Sequence, residues 1–239
     1  YVSAWLKCHY PAVFTCALLN SQPMGFYAPA QLVRDARDHG VEVRPISVNH
    51  SFWDCTLEPR PDGALALRLG FRQIKGMREE DAIWIAAARG NGYPDVESLW
   101  RRAGVHADAL ERLAEADAFA AIGLNRRDSL WAAKALKASA PLPLFGSDGE
   151  GAAEPDVKLP QMTLGQEVIE DYLSLRLSLR AHPMELLRPR LAESLAHDRL
   201  PQASGRITVT GLVIKECRVF YHIRINRVFK SIGITRPVE

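Results

Sequence analysis

Helix-breaking residues between positions 79 and 137 place the strongest constraint on the fold of this chain. Apolar residues recur there at helical spacing, but the pattern is interrupted at residues 90–94, at Gly104 and at residues 123–125. Proline cannot donate a backbone N–H, and glycine favours the left-handed conformation that ends helices. One long helix is therefore excluded, and the spacing predicts four short helices joined by tight turns.

The residues before position 79 change from a helical to a strand period. Residues 1–40 predict three helices, the second with Pro11 in its first turn and the third ending at Gly40. The runs "VEVRPISV", "FWDCTLEP" and "ALALRLGF" then predict short strands separated by turns. The predicted fold class is mainly α with a small β insertion (α+β).

The residues after position 138 differ in composition. Residues 139–163 are rich in proline, glycine and acid, which predicts a flexible linker. Two helices are expected next, and a β-type run, "RITVTGLVI", begins at Arg206. The predicted segments are a helical part with short strands at 1–60, a helical domain at 61–138, the acidic linker at 139–163, a helical pair at 164–204 and a β tail at 205–239.

Composition excludes some classes of function but does not identify one. The chain has 239 residues, 47% of them hydrophobic, which is enough for a sizeable core. It has no apolar run of about 18 residues and no signal-peptide pattern, so we expect a cytoplasmic protein with no membrane contact. The absence of an initiator Met before a helical pattern suggests a piece of a longer protein. The net charge is only +2, and only residues 205–239 are strongly basic.

The cysteines and carboxylates give no sign of a metal centre. Cys8, Cys16, Cys55 and Cys217 form no CxxC pair, which favours reduced thiols over disulfides or a zinc site. No carboxylate pair is predicted on neighbouring strands. We therefore predict no metal site and no catalytic residue in this chain.

The corner "IKGMREED" between the third strand and the next helix is the strongest candidate site. A turn that exposes backbone N–H groups before a helix N-terminus can bind a phosphate, and Gly76 would allow close approach. Lys75 and Arg78 would add positive charge. The alternative is that this is an ordinary helix cap that binds nothing.

Longer stretches around this corner resemble bacterial C-family DNA polymerases, the class of the replicative alpha subunit. "LRLGFRQIKGM" resembles their helix-hairpin-helix element, with Arg78 where a second glycine is usual, and "LERLAEADAFAAIGLNRRDSLWAA" resembles the second hairpin of the tandem pair. "NSQPMGFY" and "LSLRAHPM" are closer to the error-prone branch. The resemblance runs from Tyr1 to about Ile214.

This resemblance implies the duplex-holding part of an error-prone DNA-directed DNA polymerase, active in damage-induced translesion synthesis. Full-length members use Mg²⁺ held by palm carboxylates, whereas the palm motifs are absent here, so we expect this chain alone to be inactive. Trp84, Trp100 and Trp131 are expected in the core. The residues expected to contact phosphates, independently of base sequence, are Arg72, Lys75, Gly76, Arg78, Arg126 and Arg127.

Two further segments resemble parts of the same family. Leu142, Leu144 and Phe145 resemble the pentapeptide that docks on the sliding clamp, with Pro141 in place of the usual Gln; alternatively, they pin the linker to its own domain. The tail from Gly205 resembles the first strand of an OB-fold domain but departs from the family after Cys217, which suggests a truncated or frame-altered end. Accessory mutagenesis proteins are implied as partners.

Two functions of other classes remain open at this point. The chain could be a stand-alone helix-hairpin-helix scaffold for DNA repair, or a protein-interaction remnant that does not bind DNA.

Overall fold

The computed structural model describes residues 1–24, 27–138, 159–191 and 199, and the backbone of strands 206–211 and 230–235. These residues form two compact units, Tyr1–Leu179 and Arg180–Glu239. Because residues 1–60 and 61–138 share one core, the structure does not separate them as the sequence pattern suggested. No helix among the described residues has the length and apolar character needed to cross a membrane.

The first unit contains eight α-helices and three strands in its described part. The helices are α1 (Val2–His9), α2 (Pro11–Asn20), α3 (Pro29–Asp38), α4 (Glu79–Ala87), α5 (Val96–Ala103), α6 (Ala107–Glu115), α7 (Arg126–Ala138) and α8 (Leu164–Ser174). The strands are β1 (Val43–Arg44), β2 (Thr56–Pro59) and β3 (Leu65–Arg68). This order confirms the predicted α+β class, including the four short helices between residues 79 and 138.

The small sheet has the order β1-β3-β2, with β1 parallel and β2 antiparallel to the central strand. Leu67 of β3 is fully buried, as is Leu19 of α2, which packs against this sheet. The Asn20 amide extends the contact, since it donates to the Cys55 carbonyl at 2.9 Å and accepts from the Cys55 N–H at 2.8 Å. Helix α2 is therefore fixed to the β insertion by side-chain packing and by paired hydrogen bonds.

The turn at residues 90–94 is held from a distant loop. The Asn49 side chain accepts from the Tyr93 N–H at 2.7 Å and donates to the Tyr93 carbonyl at 3.1 Å. The buried Tyr93 hydroxyl donates to the Ile85 carbonyl at 2.7 Å. Helix α4 is thereby locked to the turn that follows it.

The second unit contains α9 (Pro183–Leu187) and two antiparallel strands, β4 (Arg206–Gly211) and β5 (Lys230–Thr235). The His182 side chain caps α9, because its Nδ1 accepts from the Met184 N–H at 3.2 Å. The predicted helical pair is split by the unit boundary, since α8 belongs to the first unit. The predicted β run from Arg206 is confirmed as β4.

Candidate nucleic-acid interface

The first corner lies between β3 and α4. A short 3₁₀ turn at Phe71–Gln73 leads into it, and the Met77 N–H then donates to the Ile74 carbonyl at 3.2 Å. Gly76 has φ +76°, and a type II turn requires such a positive φ at its third residue. Ile74 and Met77 are buried, whereas Lys75 and Gly76 are exposed. The apolar residues therefore anchor the turn and leave its basic tip in solvent.

A second corner repeats this arrangement before α7. A 3₁₀ turn at Ala120–Ile122 leads to Gly123, whose φ is +85°. Asn125 starts the helix, since its side-chain oxygen accepts from the Asp128 N–H at 2.9 Å. Residues of the two corners correspond at a constant offset along the chain: Gly76 to Gly123, Met77 to Leu124, Arg78 to Asn125 and Asp81 to Asp128. The chain thus carries two hairpins of one design.

Arg78 is the N-terminal flanking residue of α4 and lies on the exposed side of the first corner. Its Nε donates to Asp81 Oδ2 at 2.9 Å, and 56% of its side chain is exposed. The hydrogen bond to Asp81 raises the pKa of the guanidinium further, so Arg78 stays charged. The ion pair orients a cation beside the first turn of α4, where the helix dipole also favours an anion.

Lys75 has an exposed side chain, but its backbone N–H donates to the Ser174 carbonyl at 2.8 Å. The Met77 N–H is also used within the turn. The turn therefore offers an anion fewer free backbone N–H groups than the sequence predicted, because two of them have partners inside the protein. Attraction for an anion at this corner depends mainly on side-chain charge and on the start of α4.

Arg72 lies behind the first corner instead of at its tip. Its guanidinium donates to the carbonyls of Asn20 at 2.6 Å and Gln22 at 3.0 Å, and to Asp54 Oδ1 at 2.5 Å. Only 19% of its side chain is exposed. These contacts connect the end of α2 to the β insertion, so the geometry argues against a phosphate contact by Arg72.

Arg126 is the first residue of α7, and 3% of its side chain is exposed. Its Nη2 donates to Asp171 Oδ1 at 2.5 Å, and its Nη1 lies 2.8 Å from Glu167 Oε2. Both acidic residues belong to α8. The Ser178 hydroxyl donates to the other Asp171 oxygen at 2.7 Å. This buried group ties α8 to the second hairpin and turns Arg126 away from solvent, which argues against a phosphate contact there.

Arg127, the next residue, is half-buried and donates to the Pro160 carbonyl at 2.6 Å. It remains near the surface of the second corner. The structure therefore leaves four of the six predicted residues in place for an anion: Lys75, Gly76 and Arg78 at the first corner, and Arg127 at the second.

Arg112 of α6 is a basic residue at the first corner that the sequence pattern did not reveal. Its Nη1 donates to the Gly76 carbonyl, and a Cβ on residue 76 would lie 3.4 Å from its Nε. Arg112 lies between the buried residues Leu110 and Leu113 along the chain, so nothing local marks it. Only the packing of α6 across the first corner brings this guanidinium to the glycine.

Leu142, Leu144 and Phe145 lie outside the described residues. Within the described ranges, no group of three or more His, Cys, Asp or Glu residues is arranged to hold a metal ion. Cys8, Cys16 and Cys55 are free thiols. Burial raises the pKa of Cys16 to about 11, so this thiol stays protonated.

Comparison with known proteins is consistent with this geometry. Residues 40–129 match the family model of the helix-hairpin-helix motif, which spans both corners. Error-prone DNA polymerases are similar over most of this chain: the protein of Ruegeria pomeroyi is 67% identical over 91% of the chain, that of Mesorhizobium japonicum 50% over 90%, and that of Brucella abortus 51% over 89%. The chain covers 20–22% of the length of these relatives. Its sequence is thus similar to one segment of these error-prone DNA polymerases, which confirms the resemblance.

Proposed function

We propose that this chain, a segment similar to error-prone DNA polymerases, holds the primer-template duplex of such a polymerase by its phosphates, without reading base sequence. The observation that carries the proposal is the first corner, where Lys75, Arg78 and Arg112 surround an exposed left-handed glycine at the start of a helix. Phosphate contacts of this kind fix the position of a duplex but carry no sequence information.

The repeated design of the two corners supports a duplex over an isolated anion. Two similar hairpins, each with a left-handed glycine before a helix, can contact two places along a DNA backbone. Arg127 supplies positive charge at the second corner, where Asn125 replaces the arginine of the first. We therefore expect the first corner to contribute more of the binding energy.

The relatives' name, error-prone DNA polymerase, supports a role in synthesis that tolerates damaged or mispaired template. We propose that catalysis, with the Mg²⁺ ions expected for such a polymerase, belongs to parts of the full-length protein other than this chain. Purified alone, this chain should not extend a primer. Primer extension by the chain in Mg²⁺ would contradict that expectation.

The test of duplex binding is fluorescence anisotropy of the 239-residue chain on a labelled primer-template duplex over a salt series. Binding should weaken steeply with salt, because each phosphate contact releases a counterion. The variant Lys75→Glu, Arg78→Glu should lower the slope of log K against log salt by roughly 2, at about 0.9 per phosphate. Two duplexes of unrelated sequence should bind equally.

The matched control reverses two other exposed charges, as Arg34→Glu, Arg101→Glu. Both arginines lie on helix surfaces beside acidic residues four positions away. This control changes the net charge by the same amount and should keep most of the salt slope. Equal losses in both variants would contradict a specific contact at the first corner, and no binding by the wild-type chain at low salt would favour the protein-interaction alternative.

A further inference from the structure

Two tryptophans occupy equivalent positions in the two hairpins. Trp84 follows Gly76, and Trp131 follows Gly123, by the same number of residues. The two residues are 62% and 53% exposed, so the expectation that both lie in the core is wrong, although Trp100 does pack against the core. Two large apolar rings therefore stand in solvent on the helices that follow the corners.

The charges beside the two rings are different. One turn before Trp131 lies Arg127, and one turn after it lies the exposed Lys134. Residues four and three positions apart are neighbours on a helix, so these three side chains form one stripe on α7. Trp84 instead follows the exposed Glu80 by one turn and is followed by Ala87. Position and exposure are shared, whereas only α7 combines its ring with cations.

A cationic stripe with an aromatic centre matches the chemistry of a single nucleic-acid strand. Unpaired bases stack on aromatic side chains, and the phosphates on either side are attracted by arginine and lysine. Arg127 and Lys134 are about 10 Å apart along the helix axis, at about 1.5 Å per residue. Two cations at that separation can each contact a phosphate of one strand, on either side of a base that is stacked on the ring.

We propose that Arg127, Trp131 and Lys134 form a binding site for single-stranded DNA, in which a base stacks on the Trp131 indole and adjacent phosphates contact the two cations. A paired base in a duplex is already stacked on its neighbours and offers no free face to this ring. The site shares Arg127 with the second corner but differs from it in taking an unpaired base on Trp131, and it does not depend on the duplex-holding function proposed above. A primer-template would supply its ligand as the single-stranded template overhang.

The test measures binding of a labelled short oligothymidine to the full 239-residue chain by anisotropy. Trp131→Ala should weaken binding at least fivefold, the lower end of the effect of removing a stacked base, about 1 to 3 kcal/mol. Trp131→Phe should stay within about threefold of wild type, because it keeps an aromatic face. Lys134→Gln should lower the salt slope by about 0.7, the value for one contact to a single strand.

Trp84→Ala is the matched control, since it removes an indole of comparable exposure at the equivalent position, beside a carboxylate. It should leave oligothymidine binding within about twofold of wild type, because Glu80 and Ala87 take the places that Arg127 and Lys134 have beside Trp131. Equal losses in Trp84→Ala and Trp131→Ala, no loss in Trp131→Ala, or Trp131→Phe as weak as Trp131→Ala would overturn the proposal.

Duplex binding, measured in parallel, separates this proposal from the duplex-holding function. Lys75→Glu, Arg78→Glu should lose duplex affinity and keep its dependence on Trp131 for oligothymidine. If the wild-type chain binds oligothymidine through Trp131 but does not bind duplex, the duplex proposal fails and the single-strand site stands. If the chain binds duplex but Trp131→Ala has no effect on oligothymidine binding, the single-strand site fails and the duplex proposal stands.

Discussion

Removing one partner of the buried ion pair between α7 and α8 should destabilise the first unit strongly. Only 3% of the Arg126 side chain and 4% of the Asp171 side chain is exposed, and their charged atoms are 2.5 Å apart. Arg126→Ala would remove the Arg126 guanidinium from a carboxylate that stays buried. Breaking such a pair costs about 3 to 5 kcal/mol, several times the value of an exposed pair.

The expected loss can be measured by urea and thermal unfolding followed with far-UV circular dichroism. For a unit of this size, each 1 kcal/mol lowers Tm by about 2 to 4 °C, so Arg126→Ala should lower Tm by about 10 °C. Asp171→Ala should have a smaller effect, because Glu167 Oε2 still lies 2.8 Å from the buried guanidinium. The triple variant Arg126→Met, Glu167→Gln, Asp171→Leu removes all three charges of this group and should regain most of the stability.

Arg127→Ala is the matched control for this prediction. Arg127 is the adjacent residue, but it is only half-buried and makes a single hydrogen bond to a carbonyl. Its loss should cost about 1 kcal/mol or less. A cost below about 1 kcal/mol for Arg126→Ala as well, together with a reduced salt slope for duplex binding, would refute the structural role and restore Arg126 as a phosphate ligand.

Three further predictions concern other parts of the chain. Gly76→Ala should cost about 1 to 2 kcal/mol in urea unfolding, because an L residue is strained at φ +76°, and should weaken duplex binding in anisotropy; unchanged stability would contradict the strain. The Arg68 hydrogen bond lowers the pKa of Glu58 to about 2. The ionised Glu58 should therefore stabilise the folded state fully above about pH 4.5, and this stabilisation should be lost as the pH falls toward 2. Glu58→Gln should therefore reduce the change in the free energy of unfolding between about pH 4.5 and about pH 2 by about 2 kcal/mol, a value lowered to allow for the partial exposure of Glu58. An unchanged pH profile of unfolding would contradict this prediction. Leu144→Ala, Phe145→Ala should abolish retention of the chain on an immobilised sliding clamp, and unaffected retention would remove the docking hypothesis.

The sequence was informative where one residue type decides the local backbone. Pro11 starts α2, Gly40 follows the end of α3, and Gly104 with φ +63° ends α5, all as the pattern predicts. Each of these effects is local, because proline removes an N–H and glycine accepts a positive φ without strain. The helices of the two hairpins could therefore be predicted without knowing how they pack.

The roles of the arginines could not be predicted in this way. Arg72 and Arg126 follow the same local pattern as exposed basic residues near a turn, but each meets carboxylates or carbonyls from distant segments. Arg112 is the opposite case, since packing places it at the first corner. A guanidinium has five donors and a long flexible stem, so its partner is set by tertiary contacts. The sequence located the corners correctly, but not all of the charges that surround them.

Helix α8 has a consequence for the stretch of chain that precedes it. It is tied to the first hairpin through the Ser174 carbonyl and to the second through Asp171, while α7 begins within the same unit. Along the chain, residues 139–163 therefore connect two helices of the same unit. Loop-closure entropy grows slowly, with about 0.6 kcal/mol for each doubling of length. Adding or removing several residues between the two helices should therefore change the stability of α8 little.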